Sequence, residues 1–522
     1  MRVGRLGFVC VAVWAGSIVG AAAQGGAPGT LPDPGLPAVA AKPVIDPYPP
    51  VPQVEAALRK AVLFARTHLS FAGGYATRWS RDLKESRTSD ISGSTVISIE
   101  GPGTPVMGRV FSRGWEVTRD PLYLQAAREV SQALLWTQLA SGGWDTWHDY
   151  SLPVARRQHY RRDLEAGDTE RGERRALSTL DDDKTQLALL FLMDFGALPE
   201  NRENAGLRSS IRFALDGLLA AQAPNGGWPQ GFSGPFDPAA PVLKPSLPKD
   251  WPRLWPGDDY TGYYTLNDGN LRSVARVLSR AHETTGEARY LDALRKLGDF
   301  LLLSQCPEPQ PGWAQQYNLR MEPAWARKFE PPSVSTVETL SAVFTLLEIS
   351  WSTGDSRYRG PIPSALAWLE RSRLADGSYA RFMELHTNKP LYCVQESYEL
   401  TYDDSNLPGH YGFKVDDLQV DIDEFKEALE MTGDVWLAKQ QAPVTAKAWL
   451  SKAKGVAKKV VTALEGQNKE GVWTADNVIE AQLFVKHCLA MAYYIEAAKG
   501  AGELFETFRS SQAPGGSDGV ME

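Results

Sequence analysis

Leu207, Ile211, Leu215, Leu218 and Leu219 recur at spacings of three and four, so the stretch ending at Gln222 predicts a helix with one apolar face. The same frame recurs along the chain. "TRDPLYLQAAREVSQALLWTQLASGGW" begins at Thr118, "TGEARYLDALRKLGDFLLLSQCPEPQPGW" at Thr285 and "TGDSRYRGPIPSALAWLERSRLADGSY" at Thr353. In each, Thr is followed two residues later by an acid and five later by Tyr. Fifteen residues separate Tyr123 from Gln138, Tyr290 from Gln305 and Leu207 from Gln222. A turn ending in an aromatic follows: Trp144, Trp228, Trp313, and Tyr379 where Arg373 replaces the Gln. The acid suits a helix start, a Gly pair permits the positive φ that ends a helix, and the aromatic can pack back on the bundle.

Further apolar-periodic stretches lie between these units, at Leu266–Glu283, Ser333–Trp351 and Asn477–Ala498, and near-repeats at Tyr75 and Trp473 bring the series to about six. Repeated helix pairs predict an all-α fold: an α/α barrel or partial toroid with few short strands, whose turns at one end line a common cleft. An elongated solenoid without a pocket is the alternative. Leu391–Val415 is the best candidate for a short hairpin.

The ends read differently. Residues 1–23 carry Arg2 and Arg5, an apolar run and small residues to Ala23, the plan of a secretory signal. The expected organisation is a signal at 1–23, a Pro/Gly-rich linker at 24–50, a toroid domain at 51–501 and a disordered tail at 502–522. A secreted or periplasmic protein with no membrane span after signal cleavage, and a monomer, is expected. Losing Arg2 and Arg5 moves the formal charge from −8 to −10, leaving no basic field for nucleic acid. Three cysteines remain, allowing at most one disulfide.

Against this acidic background three local clusters stand out. "STLDDDKTQLALLFL" places Asp181, Asp182 and Asp183 before one helix, and "GYYTLNDGNLRSVARVL" places Asn267 and Asp268 before another. Hard cations such as Ca²⁺ are held by such oxygens, although one Asp at a helix start needs no reason beyond capping. "EPAWARKFEPPS" holds Arg327 and Lys328 on a connection closed by Pro331 and Pro332, with Trp325 and Phe329 alongside. Arg320 and Arg381 also fall near repeat turns, and an Arg fork matches carboxylates.

Four motifs together resemble those of the family 10 polysaccharide lyases, the α/α pectate lyases: "NGGWPQGF", "STLDDDKT", "TLNDGN" and "WAQQYNLRMEPAWARKFEPPSVS". The likeness covers about 122–415. It implies β-elimination on a polygalacturonate-type anionic polysaccharide, with Arg327 as the base that takes the C5 proton. It also implies a Ca²⁺ ion between the substrate carboxylate and aspartates that carry over to Asp181 and Asp268, joined by Asp182 where the family has Asn. Arg381 would bind a uronate carboxylate, and Arg320, Lys184 and Trp228 are further substrate-binding candidates. Lys184 stands where the family has a small residue, and "ELTYDDSNLPGHYGFKV" replaces an Arg-rich segment. The competing readings are a non-catalytic polysaccharide-binding relative, an α/α glycoside hydrolase using Asp181 and Glu330, and a terpene-cyclase-like toroid.

Overall fold

The computed structural model describes residues 45–435, 438 and 442–512; the expected signal, most of the linker and residues 513–522 lie outside them. The described chain is helix-rich with short strands. The domain expected over 51–501 divides into two compact units. One comprises Ser70–Arg109 and Ala126–Ala442; the other comprises the described residues up to Leu69, Val110–Gln125 and those from Pro443 onward.

The principal helices are α1 (Val51–Phe64), α2 (Thr104–Thr118), α3 (Pro121–Thr137), α4 (Lys184–Ala197), α5 (Ala205–Ala220), α6 (Asn270–Thr285), α7 (Ala288–Ser304), α8 (Thr336–Thr353), α9 (Ile362–Arg371), α10 (Leu418–Leu429), α11 (Ala446–Gly466), α12 (Ala481–Ala501) and α13 (Glu503–Gln512). In the first unit α4, α6 and α8 pack side by side, and each pairs with the helix that follows it. The sequence dictates the layering. Helix α4 is buried on nearly every side from Lys184 to Phe195, whereas α5 buries only a stripe that includes Leu207, Leu215 and Leu218. This is the α/α arrangement of repeated pairs that the periodicity predicts.

The repeat Gln and Trp are both structural. Gln138 Nε2 donates to Gly142 O and Ser210 O, and Gln222 Nε2 to Gly226 O and Ala293 O. Gln305 Nε2 donates to Pro311 O and Pro361 O, and Gln467 Nε2 to Gly471 O and Ala57 O. One amide thus closes its own turn and ties it to the next helix pair. Trp144, Trp228, Trp313 and Trp473 each donate their indole N–H to a carbonyl of the preceding helix. In the variant unit Arg373 Nε takes over the clasp, donating to Gly377 O. The turn needs its glycine. Gly226 has φ +92°, and a Cβ there would lie 1.9 Å from Lys296 O.

Short strands set the starts of the buried helices. Strand β1 (Val96–Ser98) pairs with β2 (Trp147–Asp149), β3 (Ser178–Thr179) with β4 (Gly231–Phe232), β5 (Tyr264–Thr265) with β6 (Gln316–Tyr317), and β7 (Ser333–Ser335) with β8 (Phe382–Glu384). The first member of each pair leads into α2, α4, α6 or α8. Strands β9 (Pro390–Cys393) and β10 (Leu400–Thr401) form the hairpin expected in Leu391–Val415.

In the second unit α12 packs on α1, α11 and α13. Helix α13 corrects the expected tail, which begins at residue 502. Phe505 is buried against Tyr494, and Phe508 packs edge-on to Tyr48 at 4.7 Å, an apolar pair at i, i+3 that is short enough to miss. Cys306, Cys393 and Cys488 are free and buried, so the one disulfide the count allows does not form among them. No helix among the described residues is long and apolar enough to cross a membrane.

Candidate active site

The two acidic motifs fold into the same device. Leu180 and Leu266 each precede a single 3₁₀ turn whose last two residues are left-handed: Asp182 (φ 46°) and Asp183 (φ 60°) in one, Asp268 (φ 51°) and Gly269 (φ 71°) in the other. Left-handed backbone costs an L-residue roughly 1–2 kcal/mol, which glycine escapes at the second site and Asp183 bears at the first. The step aims Asp182 and Asp268 at one another. Carboxylate oxygens of Asp181, Asp182 and Asp268 all lie within 4.8 Å of one another. The starts of α4 and α6 follow directly, and the helix dipole there favours negative charge.

Asp183 points elsewhere. It accepts from Ser273 Oγ at 2.8 Å, and burial pushes its carboxyl up to about 7 against that hydrogen bond. Sequence alone groups the three aspartates; the fold gives two to the cluster and one to the helix interface.

Lys184 requires a correction. Its side chain is 3% exposed, with Nζ 3.0 Å from Asp181 Oδ2, 3.2 Å from Asp182 Oδ2 and 4.0 Å from Glu100 Oε2. Burial works against the ammonium, but Asp181, Asp182 and Glu100 outweigh it and hold its pKa above the ordinary value. It is an internal counter-ion to the acidic cluster rather than an open substrate contact. Trp228 is also reassigned: it is 0% exposed and bonded to Leu218 O, so it is core. Arg320 is 77% exposed and forked onto Glu322, on a turn where no hydrogen bond or ion pair ties it to the acidic cluster.

Arg327 lies on the Pro-closed loop, its side chain 44% exposed. Trp325 anchors that loop by donating its indole N–H to Pro252 O. The guanidinium grips Glu330 in two places, Nε to Oε2 at 2.9 Å and Nη2 to Oε1 at 2.5 Å, and the Arg327 amide also donates to Oε2. Burial opposes the Arg327 charge, yet Glu330, Tyr411 and Asp181 raise its pKa well above the usual arginine range. Burial would raise Glu330, but Arg327 holds it below the ordinary carboxylate value.

From Glu330 a continuous series of contacts reaches the acidic cluster. Tyr411 Oη donates to Glu330 Oε1 at 3.1 Å, with Gln315 Oε1 3.3 Å away. Arg381 Nη1 donates to Tyr411 Oη at 3.3 Å and stands 3.5 Å from both Asp268 Oδ1 and Glu338 Oε1. Burial disfavours the Arg381 charge, and Tyr411, Glu338, Asp268 and Glu330 more than compensate. Tyr260 is half-buried, and burial, with Glu330 adding to it, pushes its hydroxyl up. Tyr411 and Tyr260 escape a sequence reading because a lone Tyr in a loop carries no spacing signal.

Glu338, in the first turn of α8, is fully buried and pushed up to about 8 by burial, with Arg381 opposing. Neither of its oxygens has a hydrogen-bond partner, and the same holds for Asn267 Oδ1. The three convergent carboxylates form a hard-oxygen set of the kind calcium takes, and Asn267 Oδ1, next to Asp268 in the chain, is buried without a hydrogen-bond partner, so Asp181, Asp182 and Asp268 fit that ion.

A family model described as pectic acid lyase matches residues 138–416, which is 279 of the 522 residues and more than half the chain. The chain belongs to the pectic acid lyase family. It is a lyase, and every residue of the Arg327-to-Asp268 series lies within the matched span. A family 10 polysaccharide lyase from Cellvibrio cellulosa is 16% identical, with a TM-score of 0.44 and coverage of 62% of this chain and 96% of that one. A variant of it in complex with trigalacturonic acid is also 16% identical (TM-score 0.43, 62% and 99% covered). Cellobiose 2-epimerase from Bacillus thermoamylovorans is 14% identical (TM-score 0.44, 85% and 98% covered). No curated protein matches the chain.

Proposed function

We propose that this lyase is exported and cleaves polygalacturonate or a related uronan by β-elimination. The observation carrying this reading is the unbroken series Arg327–Glu330–Tyr411–Arg381–Asp268, which joins a candidate base to a carboxylate-and-cation pocket. Removing a proton next to a carboxylate is feasible only if the charge that develops is stabilised where it forms. Arg381, buried and already flanked by acids, is oriented to meet a uronate carboxylate. Bound at Asp181, Asp182 and Asp268, calcium would add Lewis-acid stabilisation of that charge.

Arg327 must be neutral to accept a proton; Glu330 is the acceptor within reach, but paired as it stands it stabilises the Arg327 charge. Proton transfer along their 2.5 Å contact leaves neutral arginine beside protonated Glu330. Arg327 then takes the C5 proton, the C4–O bond breaks, and the leaving oxygen takes up the proton held by Glu330, which restores the Arg327–Glu330 ion pair. In water the Arg-to-Glu transfer spans about 8 pKa units, on the order of 11 kcal/mol, and the pair as it stands widens that gap, so bound calcium and desolvation by the uronan must reverse it. The same clamped pair favours a second reading, a binding protein in which Arg327 stays charged and only holds the uronan. The glycoside-hydrolase pairing loses ground because Glu330 is kept ionised by Arg327 and Asp181 is engaged by Lys184. Incubating the protein with polygalacturonate and calcium, and following the ultraviolet absorbance of unsaturated product, separates the readings. The lyase gives a signal that Arg327→Ala abolishes; the binding protein retains uronan and gives none.

A further inference from the structure

The geometry points to Lys184 as a built-in competitor for the metal: its ammonium shares the Asp181 and Asp182 carboxylates with any divalent ion and weakens calcium binding. This rests on the proposed reading only in naming calcium as the ion. Two independent observations support it. Lys184 Nζ already makes short contacts to Asp181 and Asp182, two of the three carboxylates that converge with Asp268. The lysine is also sealed in, 3% exposed on the first turn of α4, with Glu100 at 4.0 Å on a third side.

A calcium ion sits about 2.3–2.6 Å from each carboxylate oxygen it binds. Seated between Asp181 and Asp182, it would meet the ammonium within a few ångströms, and two cations so close repel strongly in a half-dry pocket. Loading therefore requires Lys184 to give up contacts it cannot replace with water. The remaining charge makes the competition unequal rather than absolute. Asp268 faces Arg381 and not the lysine, so the lysine contests two of the three carboxylates.

Calcium titration calorimetry and terbium luminescence on the full-length protein, Lys184→Met and Lys184→Gln test this. Both variants should bind calcium at least tenfold more tightly than the unaltered protein, and adding Asp182→Asn to Lys184→Met should reverse most of the gain. Equal or weaker binding in both folded single variants overturns the proposal. Two substitutions of different polarity guard against one failing to fold. A tenfold gain in a protein that neither binds nor cleaves uronans supports the competition and overturns the uronan reading instead. Cleavage of uronans with no gain in either variant does the reverse.

Discussion

Arg327 and Glu330, three residues apart, form a two-point ion pair in which the carboxylate is buried and the guanidinium is half-exposed. Pro331 and Pro332 stiffen the chain after Glu330 and the Trp325 indole ties the other end to Pro252 O, so the pair is a fixed feature of the loop rather than a chance surface bridge.

Glu330→Gln removes the proton acceptor while preserving shape. Turnover should fall by about 10²–10⁴, the usual range for a lost proton-transfer partner, with KM changing much less. Stability should drop by about 1–3 kcal/mol, since one end of the pair remains in solvent. Steady-state kinetics with a urea melt checks both.

Tyr411→Phe cuts the link between Arg381 and Glu330 without disturbing the ring contacts to Phe329 and Phe382. A loss of about 10–100-fold in kcat/KM is expected, with about 1 kcal/mol of stability. A double-mutant cycle with Arg381→Lys should show coupling between the two positions.

The repeat turns answer to stability and not to substrate. Trp228→Ala should cost about 3–5 kcal/mol and leave KM for uronan unchanged in the folded fraction, because the indole is core. Gly226→Ala should be as damaging, its Cβ falling on the Lys296 carbonyl. Thermal unfolding of each variant decides.

Acid should loosen both units. Burial, with Arg162, holds His148 down to about 4, and burial, with Lys486, does the same for His487. Each folded pKa is below the unfolded value of about 6.5, so the unfolded chain binds more protons in between. Stability from these groups is complete above about 6.5 and is lost as pH falls towards 4, on the order of 2 kcal/mol each. His148→Gln should flatten the pH dependence of the melting temperature across that interval.

The helical frame was legible because Gln, Gly and Trp recur at fixed counts, and each does one job with hydrogen bonds that reappear unit after unit. Asp181, Asp182 and Asp268 were legible as a group because they precede helices that pack side by side. Trp228 was misplaced because a Gly-Trp turn looks the same whether its ring faces a cleft or the bundle. Lys184 was not legible as a counter-ion because the sequence does not show its burial, and three acids stabilise it in the interior. The Tyr411 bridge depends on contacts across 30 and 81 positions of sequence, which no local pattern encodes.

The most direct measurement is product analysis by mass spectrometry after digesting polygalacturonate in oxygen-18 water. Elimination predicts fragments ending in an unsaturated uronate with no solvent oxygen incorporated, and none of these from Arg327→Ala. Saturated ends carrying the heavy oxygen, or unsaturated products undiminished in Arg327→Ala, would contradict the account.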